Sequence, residues 1–307
     1  MSEEKFDVKV ELQRWLDQIG KPENYDFEKK LELKKKYDFG DFDGELYIQA
    51  NGPDTFQRML KVIPKNLSGK VPGVAVPFYF PEAMLGHELE TGKPLPYYHG
   101  IEMLAQLARR GYIAVSADAY HLTYVKSERD RNDFQRWTDC GLARMKQQPN
   151  WSGIGKLTAD TMLLVDALVD DSRVDSANIG ITGHSLGGKM AFYAGCLDSR
   201  VKAIMVSDFG ICWDQTNWED IWYWGEKVET LKALGMEHSG LLSCAAPKPF
   251  CLIAGYYDNG DSFEMMRRAH GYENCQDRLV IYNHATGHRP PMEFLNKGYE
   301  FFDKWLK

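Results

Sequence analysis

The pentapeptide Gly183-His184-Ser185-Leu186-Gly187 constrains the fold of this chain more than any other segment. An apolar run at residues 179–181 leads into it, and a helix-forming run follows at residues 190–194. A serine at a strand-to-helix turn has a strained backbone, so its flanking residues must be small enough for strand and helix to close around it. The turn also aims the amino end of the helix at a group bound beside the hydroxyl. The segment therefore predicts that Ser185 is a nucleophile in an α/β fold.

Short apolar runs alternate with helix-length amphipathic segments from Val74 onward. This alternation is typical of a parallel sheet covered on both faces. The predicted strands of this part are residues 74–76, 113–115, 179–181, 203–206, 250–253 and 279–282. The predicted helices lie near residues 101–110, 157–169, 186–196, 263–270 and 292–306.

The first seventy residues have a different pattern. A helix is predicted near residues 10–16, and strands near 31–33 and 59–63 read as antiparallel strands with one face toward solvent. The sequence thus predicts an α/β fold with a mostly parallel twisted sheet, helices on both faces and antiparallel N-terminal strands. No linker divides the 307 residues, so we predict one domain over 1–307, with the N-terminal helix and entry strands in 1–70.

About forty residues separate two predicted strands after Asp208, and a break of that length is usually functional or carries helices of its own. We predict a small aromatic-rich cap at residues 209–248. Its indoles either stack on a sugar or acyl group or form a hydrophobic core within the insertion. The tryptophans of this segment are Trp213, Trp218, Trp222 and Trp224.

Charge and cysteine usage exclude several classes of partner. With 44 acidic and 37 basic side chains the formal charge is −7, which argues against a nucleic-acid partner. No apolar run is long enough to span a membrane and the first residues lack the pattern of a signal peptide, so we expect a cytoplasmic protein without a membrane partner. The six cysteines form no C-x-x-C pair, so we expect neither a zinc site nor a disulfide framework. Hydrolysis by a serine nucleophile requires no metal or organic cofactor, and we expect none. A homo-oligomer is left open.

A serine nucleophile needs a base and an acid, and in an α/β sheet of this type they follow it in the order acid, then histidine. His288 comes directly after the last predicted strand, whereas the competing His284 lies nearer the strand end. Asp258 follows the penultimate predicted strand and is our predicted acid. Asp261, three residues on, and Asp208, after the preceding strand, are the alternatives.

Two backbone N–H groups are predicted to stabilise the oxyanion of a tetrahedral intermediate. One belongs to Leu186, immediately after the serine, and the other to Tyr79 in the loop after the strand at 74–76. The alternative is that the aromatic residues of that loop are simply part of the core. Four arginines in a predicted loop around Asp130–Gln148 either meet an acidic substrate or form a solvated surface. They are Arg129, Arg131, Arg136 and Arg144.

From about residue 71 to its carboxyl end the chain resembles the α/β-hydrolase superfamily, and within it the dienelactone-hydrolase and acetyl-xylan-esterase-like branch. The segments that carry the resemblance are 183–188, Gly255-Tyr256-Tyr257-Asp258, Gly287-His288 and Ala117-Asp118-Ala119. It implies an α/β-hydrolase fold and hydrolysis of a small carboxylic ester through an acyl-enzyme, with acylated carbohydrate as one candidate substrate. Dienelactone hydrolase itself has a cysteine nucleophile where this chain has Ser185. A serine peptidase of the same fold and a non-catalytic homologue acting as a binding protein are the alternative functions.

Overall fold

The computed structural model describes residues 6–20 and 27–307. These residues form a nine-stranded sheet with the strand order β1-β2-β3-β5-β4-β6-β7-β8-β9. The strands are β1 (Leu31–Asp38), β2 (Phe42–Ala50), β3 (Phe56–Pro64), β4 (Val71–Ala75), β5 (Ile113–Ala117), β6 (Val174–His184), β7 (Val201–Ser207), β8 (Phe250–Ala254) and β9 (Leu279–Asn283). The first three strands pair antiparallel with one another, and β3 pairs antiparallel with β5. From β5 to β9 every neighbouring pair is parallel, so the predicted α/β fold class is confirmed.

Eleven α-helices are present in the described ranges. They are α1 (Val8–Ile19), α2 (Pro81–Leu85), α3 (Met103–Arg109), α4 (Tyr120–Thr123), α5 (Phe134–Gln147), α6 (Gly153–Val169), α7 (Leu186–Leu197), α8 (Lys227–Ala233), α9 (His238–Ala245), α10 (Gly260–Arg267) and α11 (Met292–Leu306). None of them has the length and hydrophobicity that a membrane-spanning segment requires.

The two faces of the sheet are covered by different helices, as strand β6 shows. Successive residues of a strand point to opposite faces. A Cβ on Gly180 would meet Phe302 and Leu306 of α11, whereas the next residue, Ile181, packs against Gly195 of α7. The central strands are therefore buried on both sides, which explains their continuous apolar sequences.

Besides the short helices α2 and α4, two longer elements were not predicted from the sequence. Helix α5 occupies the segment that we predicted as a loop, and Asp133 caps it by accepting a hydrogen bond of 2.8 Å from the Gln135 N–H. Its buried residues, which include Trp137, Cys140 and Arg144, have helical spacing, but a charged residue on the buried face obscured the pattern. Strand β2 was also missed, because the buried Glu45 interrupts its alternation of apolar and polar residues.

The segment at 209–248 contains α8, α9 and several turns. All four of its tryptophans are buried. Trp15 of α1 packs onto them, with its ring 6.3 Å from that of Trp213 and 5.7 Å from that of His238. Most of the indoles therefore form a hydrophobic core shared with the N-terminal helix. The single-domain division, with a cap at 209–248, stays a prediction, and residues 1–5 and 21–26 of the predicted N-terminal part lie outside the described residues.

Candidate active site

Ser185 lies at the turn between β6 and α7, with φ 55° and ψ −118°. Positive φ is strained for a residue other than glycine and is often found at functional sites. A Cβ on Gly183 would come within 2.2 Å of the Gly187 carbonyl oxygen, and one on Gly187 within 2.2 Å of the Pro77 carbonyl oxygen. Both positions therefore require glycine, and their contacts hold the strained turn against the loop after β4.

His288 follows β9 and lines a cavity of about 300 Å³ together with Ser185. Its ring packs between two others, 4.4 Å from that of His184 and 4.8 Å from that of Tyr257. Its Nδ1 atom lies 2.7 Å from Oδ2 of Asp208. Because an ionised carboxylate only accepts hydrogen bonds, the proton of this contact is on Nδ1, and Nε2 is left free to accept a proton.

Asp208, the first residue after β7, holds the position that we predicted for Asp258. Its carboxylate is fully buried and accepts four backbone N–H bonds of 2.9–3.1 Å from residues 255–258, besides the bond from His288. The predicted pairing of Asp258 with His288 is wrong, because the loop after β8 turns its backbone toward this site and its carboxyl group away from it. Asp261, the other alternative, lies in the exposed first turn of α10.

The Asp258 carboxylate, in the loop after β8, is buried against the loop that follows Asp208. It accepts backbone N–H bonds of 2.8–3.1 Å from residues 209–211, and the Ser262 hydroxyl lies 2.8 Å from its Oδ1. Burial raises the pKa of Asp258, and the hydrogen bond from Ile211 acts in the opposite direction. The two aspartates thus bind each other's loops, and only Asp208 also contacts a histidine.

Within the described part of the chain, His284 makes no hydrogen bond to an aspartate. Its Nδ1 lies 2.6 Å from the Thr286 hydroxyl, and burial lowers its pKa. His184 is buried beside the nucleophile, and its pKa lies well below the ordinary value because of burial first and the charge of His288 next. A neutral His184 therefore packs against the ring of His288 without competing for its proton.

The two predicted oxyanion donors flank the contact between Gly187, in the nucleophile turn, and Pro77, in the loop after β4. Leu186 is the first residue of α7, and the Tyr79 carbonyl accepts a bond of 3.0 Å from the Ala119 N–H. Within residues 6–20 and 27–307, neither the Leu186 nor the Tyr79 N–H donates a hydrogen bond to the protein. Both groups are therefore available to a ligand, and their role stays a prediction.

Lys189, which lies one turn after the nucleophile on α7, was not predicted from the sequence. Its ammonium group donates to Thr216 Oγ1 at 2.8 Å and to Asn217 Oδ1 at 3.1 Å, and it lies 4.1 Å from the ring centre of Trp218. Burial lowers its pKa to about 7. Lys189 is the one charged residue of helix α7, and this exception could have indicated a polar site beside the nucleophile from the sequence alone.

Lys189 lines a second cavity, of about 570 Å³, which also contains Ser185 and His288. Asp220 and Asn217 belong to the same wall. The nucleophile therefore has charged and amide side chains on this side, and the two cavities share the rings of Tyr79, Tyr97, Phe134 and Trp137.

Comparison with known proteins supports the fold. Residues 97–217 match the Dienelactone hydrolase family. A glucuronoyl esterase from Solibacter usitatus superposes with a TM-score of 0.71 at 13% identity, over 96% of this chain and 91% of that one. A glucuronoyl esterase from Teredinibacter turnerae gives 0.71 at 16% identity, over 95% and 83%. An acetyl xylan esterase from a Paenibacillus species gives 0.61 at 16% identity, over 97% and 92%.

The chain has the α/β-hydrolase fold. The resemblance predicted from the sequence is confirmed, including the dienelactone-hydrolase and acetyl-xylan-esterase-like branch, and with it the class of serine ester hydrolase. No curated protein sequence matches the chain.

The four arginines around α5 bind carboxylates and backbone carbonyl groups of the protein itself. Arg129 pairs with Asp133 at 3.3 Å, and Arg131 lies 3.6 Å from Glu82. The guanidinium groups of Arg136 and Arg144 donate to backbone carbonyl groups. None of the four lines either of the two cavities at Ser185, so an acidic substrate would not meet them there.

Proposed function

We propose that this α/β-hydrolase cleaves carboxylic esters with Ser185 as nucleophile, His288 as general base and Asp208 as the acid that orients it. The observation that carries the proposal is the 2.7 Å bond from His288 Nδ1 to the buried carboxylate of Asp208. His288 also lines the same cavity as the strained Ser185. This bond selects the tautomer whose Nε2 takes the hydroxyl proton. It also stabilises the imidazolium that forms.

In the proposed reaction the Ser185 oxygen attacks the ester carbonyl while His288 Nε2 accepts its proton. The N–H groups of Leu186 and Tyr79 stabilise the oxyanion, and removing one such donor typically costs about 3 kcal/mol of barrier. The alcohol then leaves with the proton from His288. Water, activated by the same histidine, hydrolyses the acyl-enzyme and releases the acid.

A sugar-derived ester is the proposed substrate class. The chamber that contains Lys189, Asn217 and Asp220 offers donors and acceptors to several hydroxyl groups, while Tyr79 and Trp137 supply aromatic faces. Aromatic rings beside a few converging polar groups are typical of small-molecule sites. The glucuronoyl and acetyl xylan esterases among the structural relatives support this class, either as an acetylated sugar or as an ester of a sugar acid.

Hydrolysis of 4-nitrophenyl acetate tests the nucleophile. We expect the wild type to release nitrophenol and Ser185→Ala to lose about 10⁶ in kcat, the loss typical of a triad serine. Ser176→Ala, at an exposed serine of β6, is the matched control and should retain full activity. Labelling of the wild type by a fluorophosphonate, and of Ser176→Ala but not Ser185→Ala, would identify the reactive atom. A wild type that neither hydrolyses the ester nor reacts with the probe contradicts the proposal.

A second experiment tests the substrate class. Acetylated xylo-oligosaccharides, the methyl ester of glucuronic acid and 4-nitrophenyl acetate are compared with the wild type and Lys189→Met. We expect the variant to lose about tenfold in kcat/KM on its sugar substrate, as for one lost hydrogen bond to a charged group, with little change on the aryl ester. Equal losses on both would contradict a sugar contact at Lys189.

A further inference from the structure

The cavity of about 300 Å³ beside Ser185 contains one group whose charge is permanent. Arg289 lines it, directly after His288 in the chain, and no aspartate or glutamate lines it. An arginine stays protonated at any pH at which the protein is folded. The cationic group of this cavity is therefore unaccompanied by a lining carboxylate, in contrast to the chamber where Asp220 accompanies Lys189.

No protein carboxylate neutralises this guanidinium group. Within residues 6–20 and 27–307, no ion pair or hydrogen bond joins Arg289 to another side chain. Its one contact of note is with Tyr97, whose ring centre lies 4.5 Å from the guanidinium carbon. The other arginines of the site region are all paired or bound to carbonyl groups, as described above. An aromatic face orients an arginine while leaving its edge N–H groups available to a ligand.

The surroundings strengthen the effect of this charge. Phe78, Tyr98 and Ile101 are buried walls of the cavity, and a charge acts more strongly beside such groups than in open water. The charge of Arg289 acts on His184, beside the nucleophile in the chain, and helps to lower the pKa of that histidine after burial and the charge of His288. Asn132 also lines this cavity, and its Oδ1 accepts a hydrogen bond of 3.1 Å from the Tyr98 hydroxyl. Its amide nitrogen makes no hydrogen bond within the described part of the chain and is a second donor.

We propose that Arg289 binds a carboxylate of the substrate, so that this enzyme prefers esters that carry a negative charge beside the scissile bond. Arg289 is a specificity residue in this assignment and takes no part in proton transfer. The inference rests on the proposed ester hydrolysis and adds the charge of the substrate to it. The carboxylate belongs either to the acid part or to the alcohol part of the ester, and both sources share this chemistry.

Two matched substrate pairs separate the sources. Charge in the alcohol part is tested by 4-acetoxybenzoate against its methyl ester, and charge in the acid part by monomethyl glutarate against dimethyl glutarate. We expect Arg289→Gln to lower kcat/KM for the anionic member of at least one pair by about tenfold, as for the loss of one charge-assisted hydrogen bond. The neutral members should change by less than about twofold. The pair that responds identifies the source.

The control variant is Arg267→Gln, an exposed arginine of α10 that pairs with Glu264 and lines neither cavity at Ser185. It should leave all four rates unchanged. Arg289→Lys should retain part of the preference, because it keeps the charge and loses the planar donor geometry. Raising the salt concentration should reduce the preference of the wild type. Equal losses on anionic and neutral esters, or no change on either pair, would overturn the proposal.

A binding measurement keeps the test independent of turnover. Ser185→Ala is titrated with 4-hydroxybenzoate and with glutarate, and the titrations are repeated with Arg289→Gln added. We expect at least one anion to bind about tenfold more weakly to the double variant. If the wild type hydrolyses neither the four esters nor 4-nitrophenyl acetate but this difference remains, the proposed reaction fails and the anion site stands. If neither anion distinguishes the two proteins, the anion site fails whatever the activity.

Discussion

The loops after β7 and β8 each contain a buried aspartate, and the two aspartates have different roles. Asp208 accepts N–H bonds from the β8 loop and one bond from His288, whereas Asp258 accepts N–H bonds from the β7 loop and faces a serine hydroxyl. Each carboxylate is thus a structural anchor for the other loop. The difference lies in one bond to an imidazole, and it teaches that burial and hydrogen bonding alone do not distinguish a triad acid from an anchor.

Asp208→Asn should have the largest effect on catalysis. The amide keeps the size of the side chain but favours the tautomer of His288 that cannot accept the serine proton on Nε2. We expect kcat on 4-nitrophenyl acetate to fall about 10⁴-fold, as for an acid-to-amide change in a Ser-His-Asp triad. Near-ultraviolet circular dichroism checks that the fold is retained. A variant that is folded and loses less than tenfold would show that the bond to His288 is not catalytic.

Asp258→Asn should lower the stability of the protein and have little effect on its activity, in contrast to Asp208→Asn. In the wild type, backbone N–H groups of the β7 loop donate to both carboxylate oxygens of Asp258. The asparagine amide replaces one of these acceptors by an NH₂ donor, so the buried loop loses hydrogen bonds. We expect the free energy of unfolding to fall by about 3 kcal/mol, measured by urea denaturation. The kcat of the folded variant should stay within about tenfold of wild type. A loss of kcat equal to that of Asp208→Asn would erase the proposed distinction.

Lys189 connects the comparison of the two aspartates to stability, because Asp258 is one of the charges that act on it. Burial lowers the pKa of Lys189 and is the larger effect, whereas the charges of Asp220 and Asp258 raise it. Its pKa of about 7 lies below the ordinary value of 10.5, so the folded protein loses this proton before the unfolded chain does. Stability should therefore rise with pH above 7, by roughly 2 kcal/mol between pH 7 and pH 9.

The control for this prediction is Lys189→Met, which fills the site without a titrating group. Urea denaturation at several pH values should show a smaller rise in the free energy of unfolding for this variant than for the wild type. Asp258→Asn should lower the pKa of Lys189 further and move the rise to lower pH. Identical pH profiles for wild type and Lys189→Met would show that Lys189 does not titrate near neutrality.

The nucleophile turn was predictable because its constraints are local. Gly183, Ser185 and Gly187 are close in sequence, and the apolar runs on either side reveal the strand and the helix. The sheet was predictable for the same reason, because each central strand is buried on both faces and reads as a continuous apolar run. Helix α5 was not predicted, because Arg144 lies on its buried face.

The choice between aspartates could not be made from the sequence. Asp208 and Asp258 both follow predicted strands, and the chain order suits either of them. What decides between them is the path of two loops in space, since the β8 loop presents its backbone N–H groups to Asp208 and turns its own carboxylate away. Arg289 illustrates the same limit, because only the folded cavity shows that no carboxylate lies beside it.

Ser262→Ala should give the smallest effect, and it perturbs only the Asp258 side of the comparison. The Ser262 hydroxyl lies 2.8 Å from Asp258 Oδ1 and 2.9 Å from Gln215 Oε1, and its removal leaves Asp258 its three backbone donors. We expect a loss of about 1 kcal/mol in the free energy of unfolding, as for one buried hydrogen bond, with kcat unchanged. Urea denaturation and 4-nitrophenyl acetate hydrolysis measure the two quantities on one preparation. A fall in kcat without a fall in stability would mean that the Asp258 loop acts on the reaction directly, because the hydroxyl itself lines neither cavity at Ser185.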